Sequence, residues 1–511
     1  MELSRYLCAF LILAVCYAAR RLTRTTSKLP PSPPGHPVLG HALKIPQSQT
    51  WKAFAEWGKL YGPVTFAKVL GRSMIIVNSV TAARDLMEKK SANFSDRPRL
   101  VLLGMIGWDV ILATLPYGSP QFRQQRRWMQ QYLGPSAVRS YDGIVEENVR
   151  KFLHRLLVSP YDSYKEVHGH VASIVVKAVY GHDVSGNPAD DPLIKLNEQA
   201  LNMTTATGSV GATFIDFFPF LRHVPTWVPG MGLKRKALEI RELMQIVFTS
   251  PFEDVKSQKT AGTATPSVLY RLLDEYEGRL TPEEEANIKN FAGTFYNAGT
   301  DTTRTVLQMF FLMMVLNPEV QRRAQKEIDE VVGPERLPSF SDKANLPYID
   351  CVMKEVLRIH PPIPLGVPHL SNHKDEYSGW TIPEKSMVIP NIWCMMRDEE
   401  SFPDPEEFNP ERHIVRKDHE AYDSVAPVFG FGRRFCPGRV FAESIMWITM
   451  ANVLAAFDIL PCTDPVTGKE ILPVVGFESE IVNSIKPFKC RVVPRKERLT
   501  LITREHQNLP L

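Results

Sequence analysis

Phe429-Gly-Phe-Gly-Arg-Arg-Phe-Cys-Pro-Gly438 is the most informative stretch of this 511-residue chain. A lone cysteine ordinarily reads as a small buried hydrophobe. Here glycines at 430, 432 and 438 let backbone pass close to something flat, and their N–H groups can aim at a sulfur. Arg433 and Arg434 add positive charge that favours a thiolate. The motif holds no histidine partner, so Cys436 suits an axial metal ligand better than a nucleophile. The other six cysteines, Cys8, Cys16, Cys351, Cys394, Cys462 and Cys490, are scattered. Their spacing lacks a zinc pattern and argues against a disulfide framework.

Upstream of this loop the strongest element is one long helix. Thr281 reads as an N-cap, Pro282 suits the first turn, and Glu283, Glu284 and Glu285 complement the positive end of the dipole. The apolar pattern runs to Leu316, where Asn317-Pro318 stops it, so the helix spans roughly 52 Å. Its middle, Ala298-Gly-Thr-Asp-Thr-Thr303, contains poor helix formers, and such local failures are expected at functional sites. Helical periodicity also marks Val145 to Leu157, Leu233 to Phe248, Pro318 to Val332 and Ile349 to His360. Strand-like runs are few: Val64 to Leu70, Met74 to Val77 and Met387 to Ile389. The expectation is a mainly α protein with small β-sheets, one near each end of the body.

Composition sets the class. Hydrophobic residues at 44% and charged residues at 23% exclude a disordered or fibrous chain. Sixty basic against 56 acidic side chains, a formal charge of +4, is too balanced for a dedicated nucleic-acid binder. No linker or internal repeat divides the sequence, which points to one catalytic domain.

The cysteine loop resembles the haem-binding loop of the cytochrome P-450 family, F-x-x-G-x-R-x-C-x-G, through Phe429, Gly432, Arg434, Cys436 and Gly438. Further marks follow in the family's order: Pro33-Pro-Gly-His-Pro37, the long helix, Glu355-x-x-Arg358, and Phe408-Asn-Pro-Glu-Arg412. The tail from Pro487 to Arg491 looks like that of fungal members. The resemblance implies the cytochrome P-450 fold and haem b with Cys436 as the thiolate ligand. It also implies a buried triad of Glu355, Arg358 and Arg412 beneath the haem; read alone, Glu355 and Arg358 would be an ordinary surface pair. Asp301 and Thr302 are implied to lie over the iron and relay protons, with a kink at Gly299 opening a groove. Haem propionates would be met by Arg126, Arg434, His369 and Arg97. One departure stands out: the family usually has tryptophan where this chain has Phe122. Arg126 must then bear more of the propionate contact, unless Trp128 compensates. Arg123, Arg127, Arg433 and Arg439 would form a positive face for an acidic flavoprotein reductase.

At the amino terminus, Tyr6 to Ala19 is a continuous apolar run of about 21 Å as a helix. Arg20, Arg21, Arg24 and Lys28 follow as a stop-transfer pattern. A cleaved signal peptide is the rival reading. The expected layout is an anchor over 1–28, a proline-rich hinge over 29–40 and a catalytic domain over 41–511. The localisation that follows is the endoplasmic reticulum membrane, with the catalytic domain cytoplasmic. The sequons at Asn93 and Asn202 would then stay unused.

By the same resemblance the protein is a monooxygenase of the fungal microsomal type, inserting one oxygen atom from O2 into a bulky apolar substrate such as a terpenoid or polycyclic aromatic. Electrons would come from NADPH through the reductase, with cytochrome b5 as a further partner. The pocket would draw on Arg99 to Pro116, Leu201 to Phe220, Phe295, Ala298, Ile363, Leu365 and Phe477, stretches with almost no charge. Two rivals are a haem-thiolate isomerase or dehydratase that needs no reductase, and a non-enzymatic haem sensor. The intact Asp301-Thr302 pair argues against the isomerase.

Overall fold

The computed structural model describes residues 28–205, 213–414, 423–478 and 481–507. The expected anchor therefore lies outside the described residues apart from Lys28. Among the described residues no helix is long and apolar enough to cross a membrane.

Helices dominate. Those that frame the site are α1 (Thr50–Tyr61), α2 (Val101–Met105), α3 (Pro120–Leu133), α4 (Asp142–Val158), α5 (Ser163–Tyr180), α6 (Pro192–Thr205), α7 (Phe214–Phe217) and α8 (Gly232–Ala261). They continue with α9 (Pro282–Leu316), α10 (Pro318–Val331), α11 (Pro347–Ile359), α12 (Arg439–Ala456) and α13 (Leu499–Gln507).

Helix α9 is the expected long element, 35 residues in one piece. Its start is a full capping box, in which Thr281 accepts from the Glu284 amide and Glu284 accepts from the Thr281 amide. The mid-helix threonines are tolerated because their hydroxyls bond back one turn, Thr300 to the Tyr296 carbonyl at 2.8 Å and Thr302 to Ala298 at 2.9 Å. The helix is unbroken through Gly299. At Gly293 a Cβ would sit 2.7 Å from the Phe248 ring, so only glycine lets α8 cross α9 this closely. Helix α12 is buried on nearly every face, as its all-round apolar sequence requires.

The strands correct the sequence reading. Strands β1 (Val64–Val69), β2 (Arg72–Val77), β3 (His369–Leu370) and β6 (Met387–Pro390) form one four-stranded sheet in the order β1-β2-β6-β3. Met74 to Val77 of β2 pairs in parallel with Met387 to Pro390 of β6. The stretches expected as separate sheets at the two ends of the body thus pair with each other. Among the described residues three two-stranded ribbons complete the set: β4 (Asp375–Tyr377) with β5 (Trp380–Ile382), β7 (Phe457–Leu460) with β10 (Arg491–Pro494), and β8 (Cys462–Thr463) with β9 (Glu470–Ile471).

The proline-rich segment is docked on this sheet. The Phe66 amide donates to Pro31, His41 Nε2 lies 2.8 Å from the Pro33 carbonyl, and Gly40 bridges Val69. From residue 31 onward the segment behaves as the outer edge of the body, since its carbonyls find donors there.

Candidate active site

The loop before α12 turns back on itself, so that the Cys436 amide donates to the Phe429 carbonyl at 2.8 Å. Gly432 has φ +55°, and a Cβ there would lie 2.2 Å from the Met87 carbonyl. Glycine is compulsory at that position because of a neighbouring segment. At Gly438 a Cβ would meet only ordinary contacts with protein atoms, the nearest at 3.8 Å. Cys436 is half-buried. Burial pushes its thiol up, while the Gly438 N–H and the Arg126 and Arg439 charges pull it back.

A cluster of cations stands beside the cysteine. Arg126 donates to the Phe435 carbonyl at 2.7 Å and is coupled to Cys436. Arg434 donates to the carbonyls of Ser95, Leu112 and Leu115, and burial pushes it down to about 10. Arg97 donates to Ala113, Val367 and Pro368, and is held well below its usual range by burial and then by Arg434. Among the described residues none of these three arginines makes an ion pair. Asp96 offsets part of the charge on Arg97 and Arg434; a surplus of buried positive charge is costly, and this set fits a ligand carrying carboxylates.

His369, on edge strand β3, lies with the cluster, but its state differs from expectation. Its Nδ1–H donates to the Phe94 carbonyl at 2.6 Å, and burial followed by Arg97 holds the ring well below 6.5. The ring is therefore neutral here with a bare Nε2. It can donate to a carboxylate only after gaining a proton.

On α9, Ala298 is exposed and Thr302 half-buried one turn apart, with Gly299 and Arg304 also half-buried and the other residues from 291 to 315 buried. Ala298 and Thr302 therefore share an accessible face of α9. The half-buried cysteine, the cations and this accessible face are the features that would hold a flat, dianionic group. Asp301 is buried and ion-paired with Arg304, which donates in turn to His168 Nδ1 on α5 at 3.2 Å. Since Nδ1 accepts, His168 is neutral, and burial pushes it down to about 3. Neither Arg304 nor His168 was part of the sequence reading; a lone arginine in an apolar helix run was the available signal.

The expected triad is present and larger than expected. Glu355 is fully buried; Arg358 donates to its two oxygens at 2.7 and 2.8 Å, and Arg412 adds a third contact at 3.1 Å. His413 donates to Oε2 at 2.8 Å and the Asn409 amide to Oε1 at 2.9 Å.

Other expected residues fall in different places. Phe295 is a core side chain, edge-on to Phe441 at 5.7 Å. Ile363 and Leu365 are half-buried, and Phe477 stacks on His360 at 4.8 Å. Phe122 lies under the Arg434 guanidinium, 4.1 Å from its ring centre. Trp128 packs against Tyr276 and Phe291, so it does not supply the missing indole donor. Arg123, Arg127 and Arg433 are exposed, whereas Arg439 is neutralised by Asp423 and Glu443 and drops out of the positive face.

A mainly helical body with small sheets, a cysteine on a glycine-rich loop and a cation cluster beside it are the features expected of a haem-thiolate class of protein. The sequence pattern of the Cytochrome P450 family matches residues 30–489. Cytochrome P450 monooxygenase 136 of Postia placenta is 40% identical over 480 residues, covering 93% of this chain and 90% of that protein. Cytochrome P450 monooxygenase claR of Ampulloclitocybe clavipes is 39% identical over 491 residues, covering 95% and 90%. Cytochrome P450 monooxygenase COX2 of Coprinopsis cinerea is 36% identical over 512 residues, covering 97% and 95%. The chain belongs to the cytochrome P450 family and is a monooxygenase.

Proposed function

We propose that Cys436 ligates haem b and that the protein oxygenates a bulky apolar substrate with electrons from NADPH delivered by a flavoprotein reductase. The observation that carries this reading is the half-buried Cys436 thiol beside three unpaired arginines, together with the open face at Ala298 and Thr302. The haem, when bound, supplies the redox chemistry that activates dioxygen. The Gly438 N–H and the Arg126 charge stabilise the Cys436 thiolate. Arg97, Arg126 and Arg434 bind the propionates, with His369 joining them once protonated. Thr302 Oγ1, now donating to the Ala298 carbonyl, can turn to hold and pass a proton over the open face, and Asp301 is its acidic neighbour.

The membrane reading extends to the body. Val38, Leu43, Phe214, Phe220 and Trp227 are exposed, Trp227 by 80%. The segment around Val38 meets the β1–β2 turn through Gly40 and Val69, and α7 meets it through Arg72. These residues suit a lipid surface continuous with an anchor over 1–28 at the endoplasmic reticulum. Arg123, Arg127 and Arg433 remain as the face for the reductase.

The test is the ferrous carbonyl spectrum. Wild type should give the thiolate-type band, and Cys436→Ala should lose it; Cys436→His should give an imidazole-type band. Retention of the thiolate band in the alanine variant would move the ligand to another cysteine.

A further inference from the structure

Helix α11 ends on His360, and the Glu355 network fixes that end of the helix. Arg358 also donates to the Met396, Pro405 and Glu407 carbonyls, and Arg397 holds the Ile359 carbonyl at 2.8 Å. His360 therefore projects from a firmly bonded base, with only 2% of its surface exposed. Its imidazole has two partners, both in a distant stretch of chain. The ring stacks on Phe477, with centroids 4.8 Å apart and planes 16° from parallel. Nε2 lies 2.7 Å from the Asn483 carbonyl, which can only accept, so Nε2 carries a proton and donates it. The ring is neutral, since burial pushes it down to about 4.

Asn483 answers in the opposite direction, its amide donating to the Pro362 carbonyl at 2.8 Å. The chain around Phe477 is held to the chain beyond Asn483 by backbone bonds. The Lys486 amide donates to the Gly476 carbonyl at 2.9 Å, the Glu478 amide donates to Ser484 at 2.8 Å, and Phe477 bridges Ile485. The Tyr164 hydroxyl adds a bond to the Ile485 carbonyl at 2.8 Å. These contacts fix the Phe477 backbone and leave its ring free to turn. The imidazole of His360 is what the ring rests on. Phe477 stays half-buried after this contact, so part of its surface is accessible.

We propose that His360 is a positioning residue for ligand selection: its imidazole sets the tilt of the Phe477 ring, and that ring is part of the wall that bulky apolar ligands meet. The proposal rests on the reading of Phe477 as a pocket residue of a haem site. His360 acts through Phe477 and Asn483 without touching the ligand. A ring held in place beforehand does not have to be ordered by the ligand, so a large ligand binds more tightly. A ligand too small to reach the wall gains nothing from this. His360 therefore widens the difference in affinity between large and small ligands, and that difference is specificity.

The experiment uses the full-length ferric holoenzyme. Imidazole and clotrimazole, an imidazole carrying three aryl rings, are titrated by absorbance. The proteins are wild type, His360→Ala, His360→Phe, His360→Gln, Phe477→Leu and the double variant of His360→Ala with Phe477→Leu. Hydrogen exchange is followed in parallel on the peptide containing Asn483. His360→Ala should raise Kd for clotrimazole about fivefold or more, the scale of ordering one freed aromatic side chain, and Kd for imidazole less than about twofold. His360→Phe keeps a ring and His360→Gln keeps a donor, so each should recover part of the clotrimazole affinity. Exchange at Asn483 should rise in the alanine and phenylalanine variants and stay nearer wild type with glutamine. Once Phe477 is replaced, losing His360 should change little more, so the two effects are not additive. The phenylalanine and glutamine variants carry the test should the alanine variant fail to fold. Equal changes for the two ligands, or additive effects in the double variant, would leave His360 a residue of stability alone and overturn the proposal. Phe477→Leu without effect on clotrimazole would overturn it by removing Phe477 from the pocket. A wild-type spectrum that neither azole perturbs would overturn the haem-site reading and this proposal with it.

Discussion

Glu355→Gln is the sharpest perturbation the structure offers. The carboxylate accepts five hydrogen bonds, from Arg358 twice, Arg412, His413 and the Asn409 amide, and none of its surface is exposed. Glutamine keeps the shape but has one oxygen. If that oxygen occupies the Oε1 position, the amide NH2 faces the Arg358 Nε–H and His413 at Oε2. At least one donor then meets a donor, and the Arg358 guanidinium loses its counter-charge. Breaking a buried charged network costs about 3–5 kcal/mol, a large part of an ordinary stability of about 5–15 kcal/mol. With a urea dependence of about 3 kcal/mol per molar, the midpoint should fall by about 1 M or more, and haem content in the purified protein should fall with it. The pH dependence follows from the same contacts. Burial pushes the Glu355 carboxyl up, but Arg358 and His413 outweigh it and hold the group below its ordinary 4.5. A carboxyl lowered on folding stabilises above its unfolded value and loses that contribution as pH falls through the folded value. Wild type should therefore lose stability below about pH 4.5 more steeply than Glu355→Gln. A midpoint shift under about 0.3 M, with equal acid limbs in the two proteins, would refute the reasoning.

Further outcomes follow from the site. Arg126→Ala should weaken haem retention by about tenfold or more, measured by transfer of haem to an excess of apomyoglobin; unchanged retention would shift the role to Arg97. Thr302→Ala should keep its spectrum and ligand binding while releasing hydrogen peroxide in place of much of the product. Product formed per NADPH consumed decides this, and equal coupling would leave the hydroxyl as a helix-bending group. Deleting residues 1–28 should release much of the protein from microsomes with haem content intact, and an aggregated, haem-free product would count against a separate anchor.

Local features were legible in the sequence and long-range pairings were not. The loop around Cys436, the capping of α9 and the bounds of α4, α10 and α11 depend on residues within a few positions of one another. The sheet was read in fragments because β2 and β6 are joined by parallel pairing across more than three hundred residues, which no local pattern records. The same reason hid His413, 58 residues from Glu355, and His168, 136 residues from Arg304. Gly432 was recognised as necessary, but its cause, the Met87 carbonyl, lies on a distant segment. Arg439 looked like part of a charged face because Asp423 and Glu443, which neutralise it, sit outside the motif.

The replacement of the usual tryptophan by Phe122 can now be argued from donors. A guanidinium carries five N–H groups. Arg434 spends three of them on the carbonyls of Ser95, Leu112 and Leu115, and Arg97 spends three on Ala113, Val367 and Pro368. Arg126 spends one, on Phe435. Arg126 therefore keeps twice the uncommitted donors of either other arginine, and its charge acts on Cys436. Phe122 contributes its ring face, which supports Arg434 and fixes the plane of its guanidinium. An indole at this position would add one donor of its own. The phenyl ring adds none, but it supports Arg434 in the orientation that ties Leu112 and Leu115 to the loop of Cys436. On the proposed haem site, the substitution would move a propionate hydrogen bond from the third helix's first turn to Arg126, one turn further along the same helix face.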